Sequence, residues 1–182
     1  MNQLPTAVFL DRDGTIIHDA HYLSRPEQVH LIDGAGDAIA RINTAMIPVV
    51  VITNQSGIGR GYFTLDEYRA VSLRLDELLL PFGAHIDATY FCPHNPDDGC
   101  ECRKPRDLLF RRAQSEIAAI DLAHSLYIGD RMRDLEAGIS FGGDAVLIPR
   151  GDTSTDETLK AVNVARVAPS LATALDWYLC TN

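Results

Sequence analysis

The stretch Thr6–Thr15, TAVFLDRDGT, runs four apolar residues, Ala7 to Leu10, into two aspartates and then a glycine turn. A short apolar run closed by a turn signal reads as a buried strand. Side chains alternate across a strand, so Asp11 and Asp13 project to one side. Like charges held together repel, and one carboxyl of such a pair can stay protonated while the other ionises. The pair can thus supply a nucleophile and an acid at the end of one strand.

Working outward, apolar runs recur at 7–10, 49–53, 88–91, 125–129 and 145–148, and each predicts a strand. Helical periodicity fills the gaps at 35–46, 65–80, 106–119, 132–140 and 170–179, the second opened by Thr64 with Glu67 three residues on. Alternation of this kind predicts an α/β fold, a three-layer α/β/α sandwich of Rossmann-like type around a central parallel sheet, with ligands at the carboxyl ends of the strands. Those ends carry Asp11 and Asp13, then Thr53 and Asn54, then Cys92 and His94, then Asp130. The 182 residues suit a single domain spanning 1–182. Residues 16–33 and 54–63 read as irregular and too short to form a large cap domain over the site.

The net charge of -9 sets a field that repels nucleic acid and anionic lipid. No apolar stretch approaches the roughly 20 residues that span a bilayer, and Met1–Pro5 lacks the pattern of a signal peptide, so a cytoplasmic protein is expected. Partners are expected to be small molecules, with neither nucleic acid nor membrane among them.

Cysteine usage points to metal. In CPHNPDDGCECRKP, residues 92–105, Cys92, His94, Cys100 and Cys102 crowd together, while Cys180 stands alone and reads as an inert bystander. Three thiolates and an imidazole satisfy tetrahedral Zn²⁺ with no open position, the pattern of a structural site. Pairs spaced by one residue suit extended chain, which places alternate residues on one side. Such an ion would rigidify a loop ending at Arg103 and Lys104.

Asp11-Arg12-Asp13-Gly14-Thr15 resembles the D-x-D-G-T signature of the haloacid dehalogenase superfamily of phosphohydrolases. Val51-Ile52-Thr53-Asn54 resembles its second motif, Lys104 in CRKP its third, and Gly129-Asp130 with Asp134 its acidic fourth. The resemblance implies that Asp11 attacks phosphorus to form an aspartyl-phosphate and that Asp13 serves as general acid and base. It implies that Thr53 and Lys104 hold the phosphoryl oxygens. Mg²⁺ would be held by the carboxylates of Asp11 and Asp130 and the backbone carbonyl of Asp13, in keeping with that ion's preference for few carboxylates plus water and phosphate. Asp134 fits two roles equally: orienting its neighbours from outside the metal shell, or stabilising a helix N-terminus.

Within the superfamily, the C-x-H…C-x-C-R-K-P loop and the Thr53–Gly61 segment, TNQSGIGRG, resemble the heptose bisphosphate phosphatases and the related histidinol-phosphate phosphatases. This implies substrate contacts from Asp19, Tyr22, Thr53, Asn54, Gln55, Ser56, Arg103, Lys104 and Arg131. A sugar bisphosphate is the leading expectation, with Arg103 placed to hold a second phosphate bidentately; histidinol phosphate is the alternative. A zinc-stabilised interaction module without activity would show broken motifs, and none is broken. His18 and His21 read as solvent-exposed. A monomer is expected.

Overall fold

The computed structural model describes residues 4–151, 153 and 165–179. Six strands form one sheet: β1 (Val8–Leu10), β2 (Val49–Asn54), β3 (Ala88–Cys92), β4 (Leu126–Gly129), β5 (Asp144–Leu147) and β6 (Arg166–Val167). Their order is β3-β2-β1-β4-β5-β6, and every pairing is parallel. β1 and β4 are buried along their whole length, and β2 up to Asn54. This is why they read as unbroken apolar runs rather than as alternating ones. β3, at the sheet edge, is only partly buried.

The helices are α1 (Ala35–Thr44), α2 (Ser56–Gly59), α3 (Leu65–Leu79), α4 (Leu108–Glu116), α5 (Met132–Phe141) and α6 (Leu171–Leu179). Strand alternation divides the core in two. Val8, Leu10, Val49, Val51, Leu126 and Ile128 pack with α1, α3 and α6 on one face. Phe9, Val50, Ile52 and Tyr127 pack with α4 and α5 on the other. There Phe9 stacks on Tyr127 at 5.0 Å between centroids while Phe110 meets Phe9 edge-on at 5.3 Å. The expected three layers are therefore present, built on the expected parallel sheet.

Local differences from the sequence expectation have physical causes. α3 starts as predicted, with Thr64 and Glu67 forming a reciprocal capping box. α4 begins at Leu108 rather than 106, because the Arg106 guanidinium turns back to donate to the carbonyls of Gly99 and Cys100. It ends at Glu116, where Ile117 is extended. α1 stops at Thr44, and Met46 is left-handed at φ 59°. The segment 54–63, read as irregular, contains the single turn α2. β6 is a strand of two residues that the apolar pattern does not announce. Residues 16–33 carry a 3-10 turn at Pro26–Gln28 and isolated bridges from Ile17 to Asp13 and to Leu31, too little to form a cap domain among the described residues.

Candidate active site

In a parallel sheet, ligands gather where the strand order reverses, here between β1 and its neighbour β4. Asp11 follows β1, and its backbone N–H still donates to Ile128 of β4. Asp130 follows β4, and the chain turns at once into α5. The first turn of α5 holds Asp134, whose Oδ2 accepts from the backbone N–H of Arg131 at 3.0 Å. Gly14 closes the β1 turn at φ 86°, where a Cβ would lie 2.5 Å from Asp130 Oδ2. Both the backbone angle and the approach of a carboxylate thus demand glycine there. Arg150 fastens the same turn by donating from Nε to the Gly14 carbonyl at 2.8 Å.

Lys104 lies at the centre, 3% exposed. Its ammonium donates to Asp11 Oδ1 at 2.6 Å and to the Ile52 carbonyl at 2.5 Å, and pairs with Asp134 Oδ1 at 2.8 Å. An ammonium has three protons, and these acceptors take all three. Asp134 thus both pairs with Lys104 and accepts from the backbone at the start of α5. Backbone bonds fix Lys104 to β2, since the Asn54 side-chain amide accepts from Lys104 N at 3.0 Å and donates to Lys104 O at 3.2 Å.

Lys104, even with Arg131 Nε lying 3.5 Å from Asp130 Oδ2, does not balance these carboxylates. Burial pushes Asp11 up to about 8 against the pull of Lys104, with Asp134, Asp13 and Asp130 adding to the rise. Burial pushes Asp130 up to about 7, reinforced by Asp134. Burial alone would lower Lys104, but Asp11 and Asp134 overcome it and raise it. Oxygens of Asp11, Asp130 and Asp134 lie within 4.8 Å of one another. A crowded, proton-hungry set of hard oxygens with too little positive charge fits a divalent cation.

Asp13 sits differently. Arg12 forks onto it, Nε to Oδ2 and Nη2 to Oδ1, both at 3.1 Å. Gln55 Nε2 donates to Asp13 Oδ2 at 2.8 Å and to Thr53 Oγ1 at 2.8 Å, while Thr53 Oγ1 reaches Asp13 Oδ2 at 3.5 Å. Sequence reasoning passed over Arg12, because the middle position of D-x-D points to the opposite face. Its signal was a basic residue between two acids.

A cleft of about 240 Å³ opens over these groups. It brings together every residue named from the sequence as catalytic, substrate-binding or magnesium-holding: Asp11, Asp13, Asp19, Tyr22, Thr53, Asn54, Gln55, Ser56, Arg103, Lys104, Asp130 and Arg131. It adds Arg133 and Phe63, which the sequence had not singled out. His21 also lines it but is exposed, and exposed His18 lies in the adjoining cleft beside Arg150. Arg103 Nη1 is buried at the site with no hydrogen-bond partner.

The four predicted zinc ligands converge beside the cleft. Cys92 Sγ is 3.7 Å from His94 Nδ1 and 3.6 Å from Cys100 Sγ, and His94 Nδ1 is 3.1 Å from Cys102 Sγ. Zinc bonds of about 2.3 Å to sulfur and about 2.0 Å to nitrogen imply tetrahedron edges of about 3.5–3.8 Å. The cluster is close to that shape. Burial pushes the Cys92 thiol up to about 12, so that sulfur holds its proton unless a cation displaces it. Cys180 lies outside the described residues.

The HAD-hydrolase-like family model matches residues 101–174. The chain is 38% identical over 165 residues to the D-glycero-beta-D-manno-heptose-1,7-bisphosphate 7-phosphatase of Yersinia pestis, covering 86% of this chain and 87% of that protein. It is 41% identical over 145 residues to the enzyme of the same name from Pseudomonas putida, covering 79% and 82%. Among solved structures, it resembles the D,D-heptose 1,7-bisphosphate phosphatase of B. bronchiseptica, which was crystallised with magnesium and phosphate. That match has a TM-score of 0.86 at 33% identity and covers 95% of this chain and 98% of that one. The chain is a phosphoric monoester hydrolase and belongs to the heptose 1,7-bisphosphate 7-phosphatase family of the haloacid dehalogenase superfamily.

Proposed function

We propose that this enzyme hydrolyses the 7-phosphate of D-glycero-D-manno-heptose 1,7-bisphosphate, with Asp11 as nucleophile and Asp13 as general acid and base. The observation that carries this reading is the buried Lys104 pinning Asp11 Oδ1 beneath the cleft that Asp11 lines, which leaves the second oxygen to act as nucleophile. That oxygen attacks phosphorus in line, the bond from phosphorus to O7 breaks, and an aspartyl-phosphate forms on Asp11. Asp13 gives its proton to the departing O7, then takes one from the water that attacks phosphorus, releasing phosphate and restoring Asp11. Thr53 and the positive charge of Lys104 hold the phosphoryl oxygens.

Asp11, Asp130 and the backbone carbonyl of Asp13 would hold Mg²⁺, which supplies charge screening between a carboxylate and a phosphate dianion. Cys92, His94, Cys100 and Cys102 would hold a structural Zn²⁺. Arg103, Arg131 and Arg133 line the cleft and favour a second anionic group on the substrate over the cationic amine of histidinol phosphate. Binding that remote phosphate helps position the reacting one.

Asp11→Asn tests the nucleophile. The variant should fold, bind the substrate and release phosphate at least about 10³-fold more slowly, as measured in a continuous phosphate assay. Undiminished turnover by the folded variant would assign the nucleophile elsewhere.

A further inference from the structure

Arg12 has no role in the chemistry described so far, yet it is among the largest fully buried side chains, 1% exposed. Removing a guanidinium from water costs several kcal/mol unless its partners are well placed. Its carboxylate partner is Asp13, gripped by both Nε and Nη2. The other side of the guanidinium lies over the Tyr68 ring of α3 at 5.3 Å, and Nη1 has no hydrogen-bond partner. Such an arrangement holds the fork in one orientation rather than maximising its hydrogen bonds.

We propose that Arg12, oriented by Tyr68, is a positioning residue that selects which oxygen of Asp13 handles the transferred proton. This deepens the proposed function and rests on the role given there to Asp13. Oδ2 accepts from Arg12 Nε and from Gln55, and lies at the limit of reach of Thr53, whereas Oδ1 accepts from Arg12 Nη2. The donors crowd Oδ2, which leaves Oδ1 the oxygen with room for a proton. The half-buried Asp13 lines the cleft. Arg12 therefore acts through Asp13, fixing which of its oxygens is left to carry the proton. No bond to Arg12 is made or broken.

The leaving group supplies the test. An alkoxide must be protonated as it departs, whereas p-nitrophenolate leaves without help, so an error in placing the acid slows only alkyl esters. Arg12→Met should lower kcat about 10²-fold on heptose 1,7-bisphosphate and on glycerol 1-phosphate, and less than about tenfold on p-nitrophenyl phosphate, with KM little changed. Arg12→Lys, which keeps the charge but not the fork, should show the same contrast. Adding Arg12→Met to Asp13→Asn should cost nothing further on the alkyl esters, since groups acting as one unit are not additive. Equal losses on alkyl and aryl esters, or full additivity with Asp13→Asn, would overturn the proposal.

If Arg12→Met does not fold, Tyr68→Leu removes only the ring that orients the fork. It should show the ester contrast in smaller measure, and equal losses would again overturn the proposal. Glycerol 1-phosphate separates this inference from the substrate reading. An enzyme inert on the heptose ester that keeps the contrast on glycerol 1-phosphate would overturn the substrate and uphold the role of Arg12.

Discussion

At Lys104, three acceptors converge on one buried ammonium, and two of them are carboxylates, of which Asp11 is pushed up by burial against the pull of the lysine. Removing one partner of a buried charge group strands the others. Lys104→Met should therefore lower stability by about 3 kcal/mol, read from urea denaturation in chelating buffer. An unchanged midpoint would mean that the carboxylates do not depend on this lysine. Asn54 shows how a residue's type can be read without its task. The sequence places it at a strand end beside a site, but its amide is engaged with the Lys104 backbone, so it sets the position of the lysine. Gln55 likewise bridges Thr53 and Asp13. Side-chain direction at such positions depends on a partner about 50 residues away, or on a rotamer, and neither is written locally.

At the scale of elements, the cysteine-rich loop and the segment after β2 behave as one piece. Gln55 N donates to Cys92 O, Gly59 N to Pro93 O, and Asn95 Nδ2 to Gly59 O. A metal held by Cys92, His94, Cys100 and Cys102 would therefore stiffen both rims of the cleft, including Arg103 and Lys104. The expected metal content is about one zinc per chain. His94→Ala should lose that zinc, lower the melting temperature and reduce kcat/KM. Full activity in a zinc-free variant would confine the cluster to some other role. The convergence of this loop was legible because its three cysteines and one histidine fall within eleven residues. The two-residue β6 and the single turn of α2 were not, because elements so short carry no period. α4 was placed two residues early because the backward reach of Arg106 is a tertiary contact.

Over the whole molecule, the doubly wound sheet was legible because β1, β2 and β4 are buried on both faces and so read as unbroken apolar runs. The placing of charge was not, since it depends on how strand ends meet. Asp11 and Asp130, raised to about 8 and about 7, bind protons more tightly in the folded chain than in the unfolded one. Their contribution to stability is complete below about pH 4 and fades as pH rises toward 8. A divalent cation competes with those protons, so Mg²⁺ should raise the melting temperature more at pH 8 than at pH 5. An equal rise at both values would place the ion away from these carboxylates.

On the function proposed above, the cleft breaks the ester at C7 of a heptose bisphosphate while its arginines hold the phosphate at C1. Phosphorus NMR of heptose 1,7-bisphosphate incubated with the enzyme and Mg²⁺ reads this directly. The C7 phosphate resonance should disappear and inorganic phosphate grow while the C1 signal stays intact. Loss of the C1 signal, or no phosphate released, would contradict it.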